Sequence, residues 1–172
     1  MKENERKKRS VMIGAAIISV ICMLLALGKT EFSGKAQNAA FTPPPFEEAA
    51  EIGTPDLEKM DETLASSYQT LEAGIYQVAV CGQPQVNGKE MLLYLTNPET
   101  NQVWLKVRVL DEDGTPVGES GILKPGEYVP AVSLNEAVTG QEIRLKIMAY
   151  EPETYHSAGA ITLKTEIKGG AR

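Results

Sequence analysis

The chain has one histidine, His156, so any mechanism that needs an imidazole base depends on this single position. A Ser–His–acid triad built on it would take Ser133 or Ser157 as its nucleophile. The sequence has no Gly-x-Ser-x-Gly elbow, and residues 118–121, Gly-Glu-Ser-Gly, have the wrong spacing for one. We therefore predict that His156 is a solvated loop residue, and we assign no catalytic residue.

Paired carboxylates offer another route to catalysis, and two close pairs occur, Asp111 with Asp113 and Glu151 with Glu153. Glycoside hydrolases use two carboxyl groups, but Asp is also favoured in turns because its side chain hydrogen-bonds the local backbone. Asp111-x-Asp113-Gly114 has part of a calcium-loop pattern and lacks the third ligand and the distal Glu. No Cys/His set has zinc spacing. We predict no metal site and no cofactor, and a weak calcium site at Asp111 and Asp113 stays open.

Aromatic side chains form a possible binding surface. Strand alternation puts Trp104, the only tryptophan, on the face opposite a row of apolar residues, Val103, Leu105, Val107 and Val109. An exposed Trp104 with Tyr94, Tyr150 or Tyr155 nearby would form a patch for a sugar or a peptide. The alternative is structural packing. The residues predicted for the possible binding surface are Trp104, Tyr150 and Tyr155.

An uncharged run covers residues 11–28. Its location relative to a membrane determines on which side the candidate residues lie. With Ser10 it makes about 19 residues, which at ~1.5 Å rise per residue span ~28 Å, close to the hydrocarbon core of a bilayer. Basic residues precede it, so the positive-inside rule predicts a cytoplasmic tail at 1–10 and an extracellular remainder. We predict a single-pass signal-anchor that contacts membrane lipid through residues 11–28. Cleavage before Lys29 is the alternative.

Net charge divides unevenly along the chain. Residues 1–10 carry five basic and two acidic side chains, a net of +3, and the rest carries twelve basic and twenty-one acidic side chains, a net of −9. A part of the chain this acidic repels a phosphate backbone, so nucleic-acid binding is disfavoured. Two cysteines, Cys22 and Cys81, make no disulfide framework.

Residues 29–73 are predicted to form an extracytoplasmic stalk, because they are rich in Pro, Gly, Ala and polar residues and Pro43–Pro45 favours an extended chain. Thr54, Pro55 and Asp56 resemble a helix start. Leu57, Met60 and Leu64 then recur at helical spacing, so we expect a short helix near 55–67.

From residue 74 the apolar period changes from that of a helix to that of strands. Alternating runs lie near residues 75–81, 91–95, 103–109, 127–134, 143–149 and 161–167. Turn signals separate them, among them Asn87-Gly88, Asp113-Gly114 and Pro125-Gly126. This predicts a mainly β fold, an immunoglobulin-like antiparallel β-sandwich over 74–168 with a flexible tail at 169–172. A small barrel is the main alternative.

The segment from about residue 91 to 167 resembles a recurrent pattern in small membrane-anchored surface proteins of Gram-positive bacteria. The residues that carry the resemblance are Asn97, Pro98, Asn101, Asp113, Gly114, Ser120, Gly121, Pro125 and Gly126. The resemblance implies a β-sandwich fold and an extracellular location, and it implies no activity.

These inferences predict a membrane-tethered interaction or structural module of the cell envelope that is not an enzyme. Its partner would be an envelope protein or a cell-wall polymer. Two alternatives stay open. One is a subunit of a secretion, conjugation or pilus assembly, and the other is a carbohydrate-binding or cell-wall hydrolase accessory domain.

Overall fold

The computed structural model describes residues 41–136, 138 and 142–167. The predicted cytoplasmic tail, the anchor at 11–28 and the tail at 169–172 lie outside these residues. A compact unit begins at Thr42. Within the described residues, no helix has the length and apolar character needed to cross a bilayer.

The described residues are mainly strands, as the sequence predicts. The one α-helix assigned among them, α1, covers Glu62–Ser67, and a 3-10 turn covers Leu57–Lys59. The strands are β1 (Glu51–Ile52), β2 (Tyr68–Ala73), β3 (Tyr76–Cys81), β4 (Gln85–Asn87), β5 (Glu90–Asn97), β6 (Trp104–Leu110), β7 (Pro116–Glu119), β8 (Glu127–Ser133), β9 (Glu142–Tyr150) and β10 (Ser157–Glu166).

The strands form two antiparallel sheets. Sheet 1 has the order β1-β8-β5-β3-β2, with β4 also paired to β5, and sheet 2 has the order β10-β9-β6-β7. Strand alternation makes one face of each sheet apolar. In β9, for example, Ile143, Leu145 and Ile147 are fully buried while the residues between them are not. Side chains from both sheets join in one buried cluster, which fixes the register because a one-residue slip would expose it.

The helical segment is shorter than the sequence predicts. Asp56 and Asp61, rather than Thr54, act as caps, and each side chain accepts a hydrogen bond from a backbone N–H two residues further on. The 3-10 turn and the six-residue helix α1 therefore take the place of one helix over 55–67. Tyr68 ends α1, donating its backbone N–H to the Ala65 carbonyl, and begins β2, where it pairs with Cys81 of β3.

Part of the predicted stalk hydrogen-bonds to the folded unit. We call residues 42–53 the strap. The Glu47 N–H donates to the Ile122 carbonyl and the Ile122 N–H donates to the Pro45 carbonyl, each at 2.9 Å, and β1 pairs with the start of β8. A Cβ on Gly121 would lie 2.5 Å from the Glu47 backbone, so only glycine leaves room for the strap there. The sequence signal is weak because these contacts are made mostly by the backbone.

Pro130 lies in β8 between a bulge on one side and an unpaired edge on the other. The β5–β8 register shifts between Leu92 and Leu95, opposite Pro130, and Tyr94 in that bulge has φ 49°. On its other side, β8 pairs with β1 only at residues 127–128. Among the described residues, Pro130 therefore has no ladder partner that would need its missing N–H.

Two buried asparagines tie the sheets together. The Asn97 side chain donates to the carbonyls of Val103 at 2.9 Å and Leu123 at 3.0 Å. Asn101 donates to Asn97 Oδ1 at 2.7 Å and to the Gln77 carbonyl at 2.6 Å, and it accepts from the Gln77 N–H at 2.9 Å. The Asn-Pro-x-x-Asn motif is thus a structural clamp.

Candidate functional site

The outer face of sheet 2 carries the residues that the sequence selects as a possible binding surface. Leu105, Val107 and Val109 of β6 are fully buried beneath the sheet. The alternate residues of β6, Trp104, Lys106 and Arg108, therefore lie on the opposite face, as strand alternation predicts. Trp104 is directly opposite Tyr150 of β9, so these two side chains form one cross-strand row.

Four aromatic residues gather at one end of this face. The Trp104 ring makes two edge-to-face contacts. Its centre lies 5.0 Å from the centre of the Phe46 ring and 5.2 Å from the centre of the Tyr155 ring. The Lys124 Nζ atom lies 4.6 Å from the Phe46 ring centre, in the geometry of a cation–π contact. With Tyr150 we call these rings, Phe46, Trp104, Tyr150 and Tyr155, the aromatic cluster.

The structure brings together Trp104, Tyr150 and Tyr155 and adds one residue that sequence reasoning missed. Phe46 belongs to the strap, which the sequence assigns to the stalk. A phenylalanine directly after three prolines was the available signal, because a solvated spacer has no need of it. Tyr94 is in β5 of sheet 1 and is not among the ring contacts of Trp104.

Next to the aromatic cluster, the outer face of sheet 2 is basic. Arg108 is directly opposite Lys146, and Arg144 is directly opposite Lys164. With Lys106 these residues make up what we call the basic rows: Lys106, Arg108, Arg144, Lys146 and Lys164. Sequence reasoning missed this feature, because the residues come from three strands and only their register places them side by side.

Two carboxylates pair with members of the basic rows. Glu119 accepts from Lys106 at 2.8 Å and from Arg108 at 3.0 Å, and Glu142 lies 2.7 Å from Lys164. Burial alone would raise the pKa of Glu119, but the hydrogen bonds from Lys106 and Arg108 outweigh it and lower that pKa. Arg144 donates to the Glu112 backbone carbonyl at 2.7 Å. Among the described residues, no carboxylate forms an ion pair with Arg144 or Lys146.

The residues considered for catalysis or metal binding have local roles. His156 is on a surface loop, with its side chain 79% exposed and its Nδ1 atom 3.7 Å from Glu151. Asp111 Oδ1 accepts from the backbone N–H groups of Asp113 at 3.1 Å and Thr115 at 2.8 Å, which closes the turn. Within the part of the chain that the structure describes, no three His, Cys, Asp or Glu side chains are grouped to hold a metal ion.

A groove of about 370 Å³ lies between the strap and β8 and contains four carboxylates, Glu47, Glu51, Glu90 and Glu119. Three of them are engaged. Glu47 accepts hydrogen bonds from the N–H groups of Ala49 and Gly121, and Glu51 accepts one from the Tyr128 hydroxyl. Glu119 forms ion pairs with Lys106 and Arg108. The Glu51 contact raises the pKa of Tyr128 to about 12. The contacts of Glu47 and Glu51 hold the strap in place. A general acid requires a carboxyl group with a raised pKa, whereas the pKa of Glu119 is lowered.

No protein-family model matches the chain, and a search of curated proteins finds no significantly similar sequence.

Proposed function

We propose that the chain is a membrane-tethered, extracytoplasmic interaction module of a bacterial cell envelope and that it acts without catalysis. The aromatic cluster carries this proposal. It combines residues from the strap, β6, β9 and a loop on one sheet face, and Phe46 in it is 39% exposed. Trp and Tyr at such a position offer large, rigid contact area with a polar edge, which is typical of recognition surfaces.

The proposed fold is an immunoglobulin-like sandwich, and the strand order supports it. We count β3, β5, β6, β7, β8, β9 and β10 as seven successive strands. Sheet 1 then holds the first, second and fifth, and sheet 2 holds the third, fourth, sixth and seventh. This differs from the constant-type immunoglobulin order only in the fourth strand, β7, which lies on the other sheet. The strap and β2 are additions before that set, and β4 is an addition between its first and second strands.

The tether follows from residues 11–28, whose apolar length suits a bilayer. Chain length then limits where the module can act. Phe46 is 18 residues after Gly28, and at ~3.5 Å per residue the aromatic cluster lies within ~60 Å of the membrane surface. A partner must therefore be in the membrane or in the layer next to it.

The tether is tested by protease treatment of intact and lysed cells that express the full chain with a C-terminal tag. We expect intact cells to lose the tag, and we expect the tag to stay in the membrane fraction at high salt. Protection of the tag in intact cells together with its loss after lysis would refute the extracellular location.

The interaction role is tested by isolating the full chain from cross-linked envelopes. We expect Tyr155→Ala, which removes one half-buried ring of the aromatic cluster, to lower recovery of bound envelope material severalfold. The matched control is Ile75→Ala, which removes a side chain that is 78% exposed in the turn between β2 and β3. Equal recovery with both variants would show that the aromatic cluster is not the contact surface.

A further inference from the structure

The basic rows stand out against the charge of the unit that carries them. Residues 42–167 contain eight basic and twenty acidic side chains, a net of −12. Five of those eight basic residues are in the basic rows, on one face of one sheet. Charge is therefore strongly segregated, and the segregation is produced by strand register.

Folding stability does not account for this arrangement. Like charges directly opposite each other on neighbouring strands destabilise a sheet, whereas opposite charges stabilise it. Arg108 opposite Lys146 and Arg144 opposite Lys164 are two such unfavourable pairs. Glu119 neutralises Arg108 in the first pair and Glu142 neutralises Lys164 in the second. Among the described residues, Lys146 and Arg144 have no such carboxylate, so their positive charge points to a ligand that supplies a negative one.

The aromatic cluster and the basic rows are parts of one continuous surface. Along β6 and β9 the outward residues follow each other at ~6.7 Å intervals. The row of Trp104 and Tyr150 comes first, and the row of Lys106 and Met148 is next, with Lys106 only 5% exposed and paired with Glu119. The more accessible cations follow in the rows of Lys146 and Arg144. A ligand ~20 Å long would meet apolar ring surface at one end and cations at the other.

We propose that this face binds a linear anionic glycan, with sugar or polyol units against the aromatic cluster and acidic groups on the basic rows. The proposal rests on the interaction role given above and names its partner class. Phosphate and carboxylate groups share the required chemistry, since both accept charge-assisted hydrogen bonds from Arg and Lys. Arg144 and Lys146 are the principal contacts, because no carboxylate among the described residues pairs with them.

A linear chain fits better than a lipid surface. A flat anionic bilayer would repel the unit, because its broad surface faces much of the net charge of −12. A single polymer strand interacts mainly with the charges of the face that it contacts. Screening makes this selection possible, since the Debye length at physiological salt is only ~8 Å. Binding is accordingly expected to be strong at low salt and to fall steeply as salt is added.

The test uses the full chain purified in a non-ionic detergent, with three probes: a glycerol-phosphate polymer, polygalacturonate and neutral dextran. Trp104, the only tryptophan, reports binding through its fluorescence. We expect one or both anionic polymers to bind and dextran to fail. The double variant Arg144→Gln with Lys146→Gln should weaken binding about 10- to 30-fold, as expected for two surface cations.

The matched control is Lys59→Gln with Lys89→Gln, which removes the same charge from positions outside the basic rows and should change affinity less than twofold. Removing Lys146 relieves its repulsion with Arg108, so Lys146→Gln alone should melt at the same temperature as the parent chain or above it. Arg144 also donates to the Glu112 carbonyl, so its substitution is not used for this comparison. A lower melting temperature of Lys146→Gln would show that Lys146 serves the fold, against the proposal.

Three further results would overturn the proposal. They are failure of both anionic polymers to bind at low salt, equal weakening by the control variant, and binding to phosphatidylglycerol vesicles but to neither polymer. Comparison of the two polymers tells a phosphate ligand from a carboxylate one. Because purified chain is used, a negative result leaves the protease test of the tether unaffected, and the two proposals fail separately.

Discussion

At the scale of single residues, the motifs that suggested a resemblance to surface proteins are explained by folding. Asn97 and Asn101 satisfy backbone groups of β3 and of the loop residues Val103 and Leu123. Ser120 inserts its hydroxyl into the β6 ladder, accepting from the Val107 N–H at 3.0 Å, and Gly121 leaves space for the strap. Such residues report the architecture and give no information about chemistry at a site.

We predict that Asn101→Ala lowers the free energy of unfolding by about 2–3 kcal/mol. The substitution leaves the Gln77 N–H, the Gln77 carbonyl and the Asn97 Oδ1 atom without this partner, and unpaired buried polar groups are costly. Urea unfolding of the full chain in detergent measures the change. Asn135→Ala, at an exposed position, is the control and should stay within ~0.5 kcal/mol. Equal effects of the two variants would contradict the clamp role.

At the scale of elements, the strap changes what the N-terminal part of the chain does. It adds β1 to sheet 1, contacts residues 120–123 beside sheet 2, and contributes Phe46 to the aromatic cluster. The strap is thus bound along both sheets, and it supplies one ring of the proposed binding surface.

We predict that Phe46→Ala shifts the fluorescence of Trp104 to longer wavelength and lowers stability by about 1–2 kcal/mol. The reason is loss of the edge-to-face contact and of the Lys124 cation–π contact, with partial exposure of the indole. Emission spectra and urea unfolding measure both effects. Ile52→Ala is the control within the strap, since Ile52 is 92% exposed. An unchanged Trp104 spectrum in Phe46→Ala would mean that the ring contact is dispensable.

At the scale of the whole molecule, one apolar core joins the two sheets, and a second small apolar contact lies outside sheet 1. Leu64 of α1 is 1% exposed, and its carbonyl accepts from the Cys81 thiol at 3.4 Å. Burial raises the pKa of Cys81 from 9.0 to about 11. A thiol in that position is accessible to reagents only when α1 separates from the sheet or the unit unfolds.

We predict that Cys81 reacts with a thiol reagent at pH 8 at least about a hundredfold more slowly than an exposed cysteine, because both its thiolate fraction and its access are reduced. The measurement uses a Cys22→Ser full chain, so that one thiol remains. With increasing urea, reaction should become fast in the same range in which Trp104 fluorescence changes. Fast reaction without urea would show that α1 opens independently of the core.

Sequence reasoning identified the strands with strong apolar alternation and the turns between them. The strands predicted at β3, β5, β6, β8, β9 and β10 are confirmed. In β9 and most of β6, alternation records the burial of one face, whereas β3 is buried at four consecutive residues. The strap, β2, β4 and β7 were missed. They are short or at the sheet edges, and their stability comes from backbone hydrogen bonds, which leave little trace in side-chain pattern.

The sequence by itself determined the mainly β fold, the face of β6 to which Trp104 belongs, and the structural use of the turn residues, all of which depend on periods of a few residues. Only the tertiary structure decided which distant residues are neighbours. Phe46 meets Trp104 and Tyr155, and Arg108 meets Lys146, because pairing between strands far apart in the chain sets the register. A binding surface on a sheet combines residues from neighbouring strands, and local sequence patterns do not show which strands are neighbours.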